Sequence, residues 1–333
     1  MNKQELENEE VRQEEKKTKK KKVRKKKTMF GHIRSIISIL LVVGIIGGSY
    51  WYYAFQYRAE VEPETNRKVT NTDSVYTMEQ YLKTLKRNQT VYKYACDEAE
   101  VDNDYGTYVV PGLKSTRTLK VKGDGEAEVC TSMTPQGLAF TEDYILVSAY
   151  CKTKAHDSVI YVIDKESRRF VKEIVLNTKA HVGGMAYDTM NQILWVTGQG
   201  STWAQANAIT LSHLENYSFD DGYHPIEFDM SYNLYKIKRA SFMTYHDGAL
   251  FVGFFTQDNA SVIEKYLINA DGTLYEKEDM NLKRTVGVTE PVAYAVSMQV
   301  ISGKVQGMAF YNNKILLTRS WGILPSEVQI FNY

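Results

Sequence analysis

The sequence predicts an all-β fold, a ring of four or five blades of short strands, set behind a single N-terminal transmembrane helix. Three observations carry that expectation. A basic run near the N-terminus is followed by twenty uncharged, mostly apolar residues at 36–55. A short motif of small, apolar and aromatic residues recurs four times after residue 135, and strand-like segments follow each copy at close intervals. A four-strand unit repeated in this way is the signature of a β-propeller.

At 333 residues, with 43% hydrophobic and 24% charged residues, the chain can build a sizeable core, which excludes a wholly disordered protein. Its net charge of +1 conceals an asymmetry, because residues 1–35 hold thirteen Lys and Arg against six Glu. The run KKTKKKKVRKKK at 16–27 precedes IISILLVVGIIGGSYWYYAF at 36–55. At about 1.5 Å per residue the second stretch makes roughly 30 Å of helix, the thickness of a bilayer core. Lysine and arginine are retained in the cytoplasm, so the expected protein is a single-pass type II protein of the cell membrane with its C-terminal domain outside. Tyr50, Trp51, Tyr52 and Tyr53 suit the outer interface. A cleaved signal peptide with a long basic leader is the rival reading, and it exports the same domain. The tail is expected to hold anionic inner-leaflet lipid, each charge contributing about 1 kcal/mol. It has no interleaved aromatics and no folded module around it, so nucleic acid is not an expected partner. The organisation expected is therefore a basic tail at 1–35, a span at 36–55, a polar stalk at 56–90 and an extracytoplasmic propeller at 91–333.

The repeat is read from four segments: QGLAFTEDYILVS from Gln136, GGMAYDTMNQILWVT from Gly183, SFMTYHDGALFVG from Ser241 and QGMAFYNNKILLT from Gln306. Taking Leu138, Met185, Met243 and Met308 as equivalent gives spacings of 47, 58 and 65 residues, blade length with insertions. Asp247-Gly248 and Asn312-Asn313 are turn pairs that tolerate the positive φ of tight hairpins. Small residues recur in the first strand because inner strands crowd around the axis. The ILV and ILWV runs lose alternation because both faces are buried between blades. Four copies are legible, and a fifth, degenerate blade is expected in residues 91–122, with 116–121 adding a closing strand to the last blade. Ser212-His213 reads as part of a strand without an acid partner.

Cys130 and Cys151 bracket the first hairpin and fall at the same end of it. A disulfide between them suits an oxidising compartment; two buried free thiols are the other reading. There is no C-x-x-C or His-x-x-x-His spacing, so no metal and no cofactor is expected.

The [QG]-G-[LM]-A-[FY] units resemble those of bacterial propeller proteins of the broad gluconolactonase, streptogramin-lyase and NHL-repeat type, over roughly residues 130–333. In the enzymes of that group, acidic, asparagine or histidine side chains gather at the axial mouth around a divalent metal. Here the residues leading into the inner strands are Thr134 and Gln136, His181 and Gly183, Arg239 and Ser241, and Lys304 and Gln306, without a carboxylate. Gln136, His181, Arg239, Ser241, Lys304 and Gln306 are accordingly expected to form a polar, cationic channel rim. Trp203, Arg319 and Trp321 follow second strands and are possible loop contacts. Such a rim suits an envelope polymer, a small anionic or sugar-like ligand, or a partner protein, and it lacks a paired nucleophile and base. The function expected is that of a membrane-anchored binding or scaffold module. A propeller hydrolase or lyase acting at the channel mouth is the alternative.

Overall fold

A computed structural model of the chain describes residues 3–56, 83, 86–87, 89–92, 110, 115–121, 125–276, 291–322 and 325–333. Most of the predicted stalk and most of the expected fifth blade fall outside these residues. The chain divides into two compact units, residues 1–60 and 61–333. In the first, α1 (Lys3–Gln56) is one continuous helix. Its most apolar part, Gly31–Trp51, has 21 residues and a mean hydropathy of 1.9, the length and composition of a membrane anchor or a signal sequence.

Among the described residues, the second unit is a propeller arrangement of four blades. A two-stranded sheet, β1 (Thr116–Leu119) and β2 (Ala127–Cys130), comes first. Blade 1 is β3 (Met133–Phe140), β4 (Tyr144–Cys151), β5 (Val159–Asp164) and β6 (Phe170–Val175), in that order. Blade 2 contains β7 (Met185–Asp188), β8 (Ile193–Gln199), β9 (Ala204–Thr210) and β10 (Met230–Leu234). Blade 3 begins with β11 (Phe242–His246), β12 (Ala249–Gly253) and β13 (Ala260–Leu267). The chain then returns to blade 2, where β14 (Val292–Ala293) pairs in parallel with β10, before β15 (Ser297–Ser302) completes blade 3. Blade 4 is β16 (Val305–Tyr311), β17 (Lys314–Arg319) and β18 (Glu327–Asn332). Inner strands are neighbours in chain order, β3 beside β7, β7 beside β11 and β11 beside β16.

The repeat register is the one read from the motif. Leu138, Met185, Met243 and Met308 pair with Val147, Val196, Val252 and Leu317, each an aliphatic on the second strand. Asp247 and Gly248 have φ of 49° and 69°, and Asn312 and Asn313 of 43° and 55°, as tight hairpin turns require. Beside the aliphatic pair lies a small-residue pair. The Gly137 N–H donates to Ser148 Oγ at 2.9 Å and the Gly184 N–H to Thr197 Oγ1 at 3.0 Å. In blade 4 the Thr318 hydroxyl donates to the Gly307 carbonyl at 3.4 Å. Blade 3 inverts the sizes: Phe242 faces Gly253, where a Cβ would lie 2.2 Å from the phenyl ring. One large residue per pair is all the space beside the axis admits.

Two expectations about the ring are corrected. Residues 116–121 do not close blade 4: β1 pairs with β2 and packs beside β6, and blade 4 has three strands among the described residues. Charge and hydrogen bonding hold β1 there. The Thr116 hydroxyl meets the Tyr161 hydroxyl at 2.7 Å, while the buried Arg117 guanidinium reaches Glu173 at 3.1 Å and Asp220 at 2.6 Å. An unpaired buried arginine would be costly, so its carboxylates choose the blade. Nor does packing comparable to the other junctions join β16 back to β3, where Leu138 and Phe140 are 54% and 52% exposed. The strand predicted through Ser212-His213 also ends early. Thr210 caps a short helix, Leu211–Asn216, by accepting from the His213 N–H, and His213 Nδ1 lies 3.0 Å from Asp229.

Candidate functional site

Each hairpin returns the end of its second strand beside the start of its inner strand. Of the residues singled out as a rim, His181, Arg239, Ser241 and Lys304 stand in the segments just before inner strands, whereas Gln136 lies within β3 and Gln306 within β16. His181 is exposed, and its imidazole stacks on Tyr150 with ring centroids 3.9 Å apart. Partial burial, and then the cations Lys154 and Arg239, hold its pKa below the ordinary histidine value. His181 and Arg239 thus share one electrostatic neighbourhood.

The two glycines after His181 are there for contact. A Cβ on Gly183 would lie 2.5 Å from the Ser241 carbonyl oxygen and 4.0 Å from Gln136 Cβ, so both residues are close to it. On Gly184 it would meet Thr197 Cγ2 at 2.5 Å and the Met243 backbone nitrogen at 3.0 Å. Val182, just before them, takes a φ of 45°, a conformation that β-branched residues rarely adopt. Its carbonyl accepts the Ser148 hydroxyl at 2.6 Å, tying blade 2 to blade 1 at the rim.

From Ser241 the contacts continue toward blade 4. Ser241 Oγ accepts the Phe255 N–H at 3.0 Å, and the Phe255 ring lies 5.5 Å from that of Trp321. Lys304, itself at a φ of 67°, donates its backbone N–H to Thr256 at 2.8 Å. The Ser320 N–H donates to the Lys304 carbonyl, and the Gln306 side-chain amide donates to the Ser320 carbonyl, both at 3.2 Å. One sequence of contacts therefore links Gln136, Ser241, Lys304 and Gln306, with His181 and Arg239 coupled beside it.

The three loop residues separate. Trp321 is exposed. Arg319 braces blade 4, its Nε donating to the Gly303 carbonyl at 2.8 Å and Nη1 pairing with Glu327 at 3.0 Å. Trp203 corrects the expectation of a projecting indole: it is 8% exposed and packs edge-on against Tyr235 at 5.3 Å. β14 brings Val292 and Tyr294 against it, a consequence of long-range pairing.

Sequence reasoning missed Tyr150, Lys154 and Asp258. Tyr150 and Lys154 stand near the end of a second strand, as Trp321 does, and that equivalence was a usable signal. Asp258, whose carboxylate accepts the Thr256 hydroxyl at 2.9 Å, adds a negative charge to the β12–β13 loop. It also missed a cluster in blade 1. Cys130 and Cys151 are buried free thiols. Their sulfurs and a His156 ring nitrogen lie within 4.8 Å of one another. Burial pushes the Cys130 thiol up. Burial also acts upward on Cys151, but hydrogen bonds from Thr153, Ser132, His156 and Cys130 outweigh it and bring its pKa down.

No family model matches the sequence, and no curated protein is significantly similar to it. Among solved structures, a glutaminyl cyclase of Myxococcus xanthus is 12% identical with a TM-score of 0.35, over 62% of this chain and 77% of that one. Hydrazine synthase of Kuenenia stuttgartiensis is 13% identical with a TM-score of 0.36, over 66% of this chain and 57% of that one. The WD40 repeats of RRP9 are 11% identical with a TM-score of 0.35, over 61% of this chain and 62% of that one. This chain thus spans less than two thirds of the length of the last two. These neighbours are propeller-like, and the assignment of the fold here rests on its own strand order and repeat register.

Proposed function

We propose that the protein is a propeller anchored by α1 in the cell membrane as a single-pass type II protein, its C-terminal domain outside. There it serves as a binding or scaffold module for a cell-envelope ligand or partner protein. Its kinship with the gluconolactonase, streptogramin-lyase and NHL-repeat group is part of this reading, as is the attraction of its basic tail to anionic lipid. The observation that supports it is the rim. The cations Lys154 and Arg239 act on His181, Gln136 and Gln306 are exposed, and the exposed Trp321 indole lies against Phe255, next to Thr256, which binds the Lys304 N–H. Guanidinium and ammonium groups beside amides favour an anionic or polyhydroxylated ligand through charge-assisted hydrogen bonds. A hydrolase or lyase finds less support, because no nucleophile is paired with a base among the described rim residues.

Calorimetric titration of the full chain in detergent with carboxylate- or phosphate-rich glycan fragments tests the ligand class. Arg239→Ala is expected to weaken binding more than Gln136→Ala, since charge-assisted hydrogen bonds are roughly twice as strong as neutral ones. Equal affinities for both variants and the unaltered chain reject the rim. Protease added to intact cells is expected to degrade the propeller and spare residues 1–35; a protected C-terminus rejects the topology.

A further inference from the structure

The cluster in blade 1 has the makings of a site unrelated to the rim chemistry. Cys130 ends β2, Cys151 ends β4, and His156 lies in the loop before β5. That loop is held by backbone pairing: the Val121 N–H donates to the Ala155 carbonyl and the Asp157 N–H to the Leu119 carbonyl, both at 2.9 Å. His156 is therefore delivered to the sulfurs by the β1–β2 sheet. Its Nδ1 lies 3.4 Å from Cys151 Sγ, and its Nε2 lies 2.9 Å from Glu128 Oε2. The carboxylate fixes the tautomer, with the proton on Nε2 and the Nδ1 lone pair facing the thiols. This is the arrangement by which outer carboxylates orient metal-ligating histidines.

We propose that Cys130, Cys151 and His156 bind a thiophilic, tetrahedral transition-metal ion of the Zn2+ type. The spacing agrees: metal–sulfur bonds of about 2.3 Å and a metal–nitrogen bond of about 2.0 Å, at the tetrahedral angle, set sulfur and nitrogen about 3.5 Å apart. Ser132 Oγ lies beside both sulfurs, 3.7 Å from Cys130 Sγ and 3.5 Å from Cys151 Sγ. Two sulfurs and one imidazole select zinc-like ions over calcium or magnesium, which demand oxygen ligands. Cys151 is 1% exposed and Cys130 fully buried, so the site is closed to substrate and its role is structural. Binding forms two metal–sulfur bonds, each sulfur that still carries a proton giving it up to solvent, with no change of oxidation state. The ion would clamp β2, β4 and the loop carrying Lys154, fastening the extra β1–β2 sheet to blade 1.

The test is titration of the full chain, purified in detergent under reducing conditions, with Co2+ and then Zn2+. One equivalent of Co2+ is expected to produce a thiolate charge-transfer band in the near ultraviolet and tetrahedral ligand-field bands in the visible, all bleached by Zn2+. Cys130→Ser and Cys151→Ser are expected to abolish the charge-transfer band, and Glu128→Gln to weaken affinity about 10–100-fold. Absence of the band in the reduced unaltered chain overturns the proposal without reliance on any variant. So does a Cys130–Cys151 disulfide in protein isolated from membranes without reductant. Neither result bears on glycan binding at the rim, which is measured separately.

Discussion

The second strands of blades 1 and 4 carry nearly the same sequence, ILVS at 145–148 and ILLT at 315–318, yet their surroundings are opposite. Every one of the four residues in β4 is buried. In β17 only Leu317 is buried, and Thr318 is exposed. Blade 1 lies between blade 2 and the β1–β2 sheet. Blade 4 packs one face on blade 3, through Val305 and Leu317, and leaves Val328 and Ile330 on its other face 59% and 62% exposed. A repeat motif specifies strand pairing; how many neighbours a blade has is decided elsewhere in the chain.

That contrast predicts unequal responses to matched substitutions. The largest is expected for the ion pairs. Arg117→Met leaves the buried Glu173 carboxylate without its guanidinium and should cost about 3–5 kcal/mol in chemical denaturation. Arg319→Ala, at the partly exposed pair with Glu327, should cost below about 1 kcal/mol. Similar losses at both would mean that blade 4 is covered in solution. Next come the strand cores. Leu146→Ala should cost about 2–5 kcal/mol, and Ile330→Ala should stay within about 0.5 kcal/mol.

Smaller effects are expected beside the axis. Gly184→Ala presses a methyl against Thr197 and the Met243 backbone, an overpacking cost of about 1–3 kcal/mol, whereas Gly307→Ala meets only the Thr318 hydroxyl at 2.9 Å and should cost less. Thermal melts of the two variants compare them directly, and the reverse order would place blade 4 in the tighter surroundings. The smallest effect is electrostatic. Because burial and then Lys154 and Arg239 depress the His181 pKa, its imidazole becomes a cation only at a pH below the ordinary value of about 6.5. His181→Ala should therefore leave anion binding at neutral pH nearly unchanged and weaken it only in the acid range. Arg239→Ala should raise the His181 midpoint in an NMR titration; an unmoved midpoint would separate the two residues.

Much of the propeller was legible because its signals are local. Strand pairing follows from residues a few positions apart: the aliphatic at Leu138 or Met308, the turn pair at Asn312-Asn313, and the aliphatic that returns opposite. The rim was legible in part for the same reason, since repeat symmetry assigns His181 and Lys304 equivalent places before inner strands. Trp203 defied prediction because β14, almost ninety residues later, covers it. The Cys130, Cys151 and His156 cluster escaped because no spacing marks it. The third member arrives only once the loop at 155–157 docks on β1.

By itself, then, the sequence determined the apolar N-terminal helix and the four repeat copies with their register, leaving the number of blades at four or five, because hydropathy, turn chemistry and strand periodicity act over short stretches of chain. Tertiary structure alone decided where β1 and β2 attach, which blade β14 extends, and which of two near-identical strands is buried. Those outcomes depend on distant partners: the carboxylates of Glu173 and Asp220 hold Arg117 against blade 1, whereas no comparable group draws a further strand to the exposed face of blade 4 among the described residues. Burial is a property of what arrives from elsewhere in the chain, and a strand's own residues do not encode it.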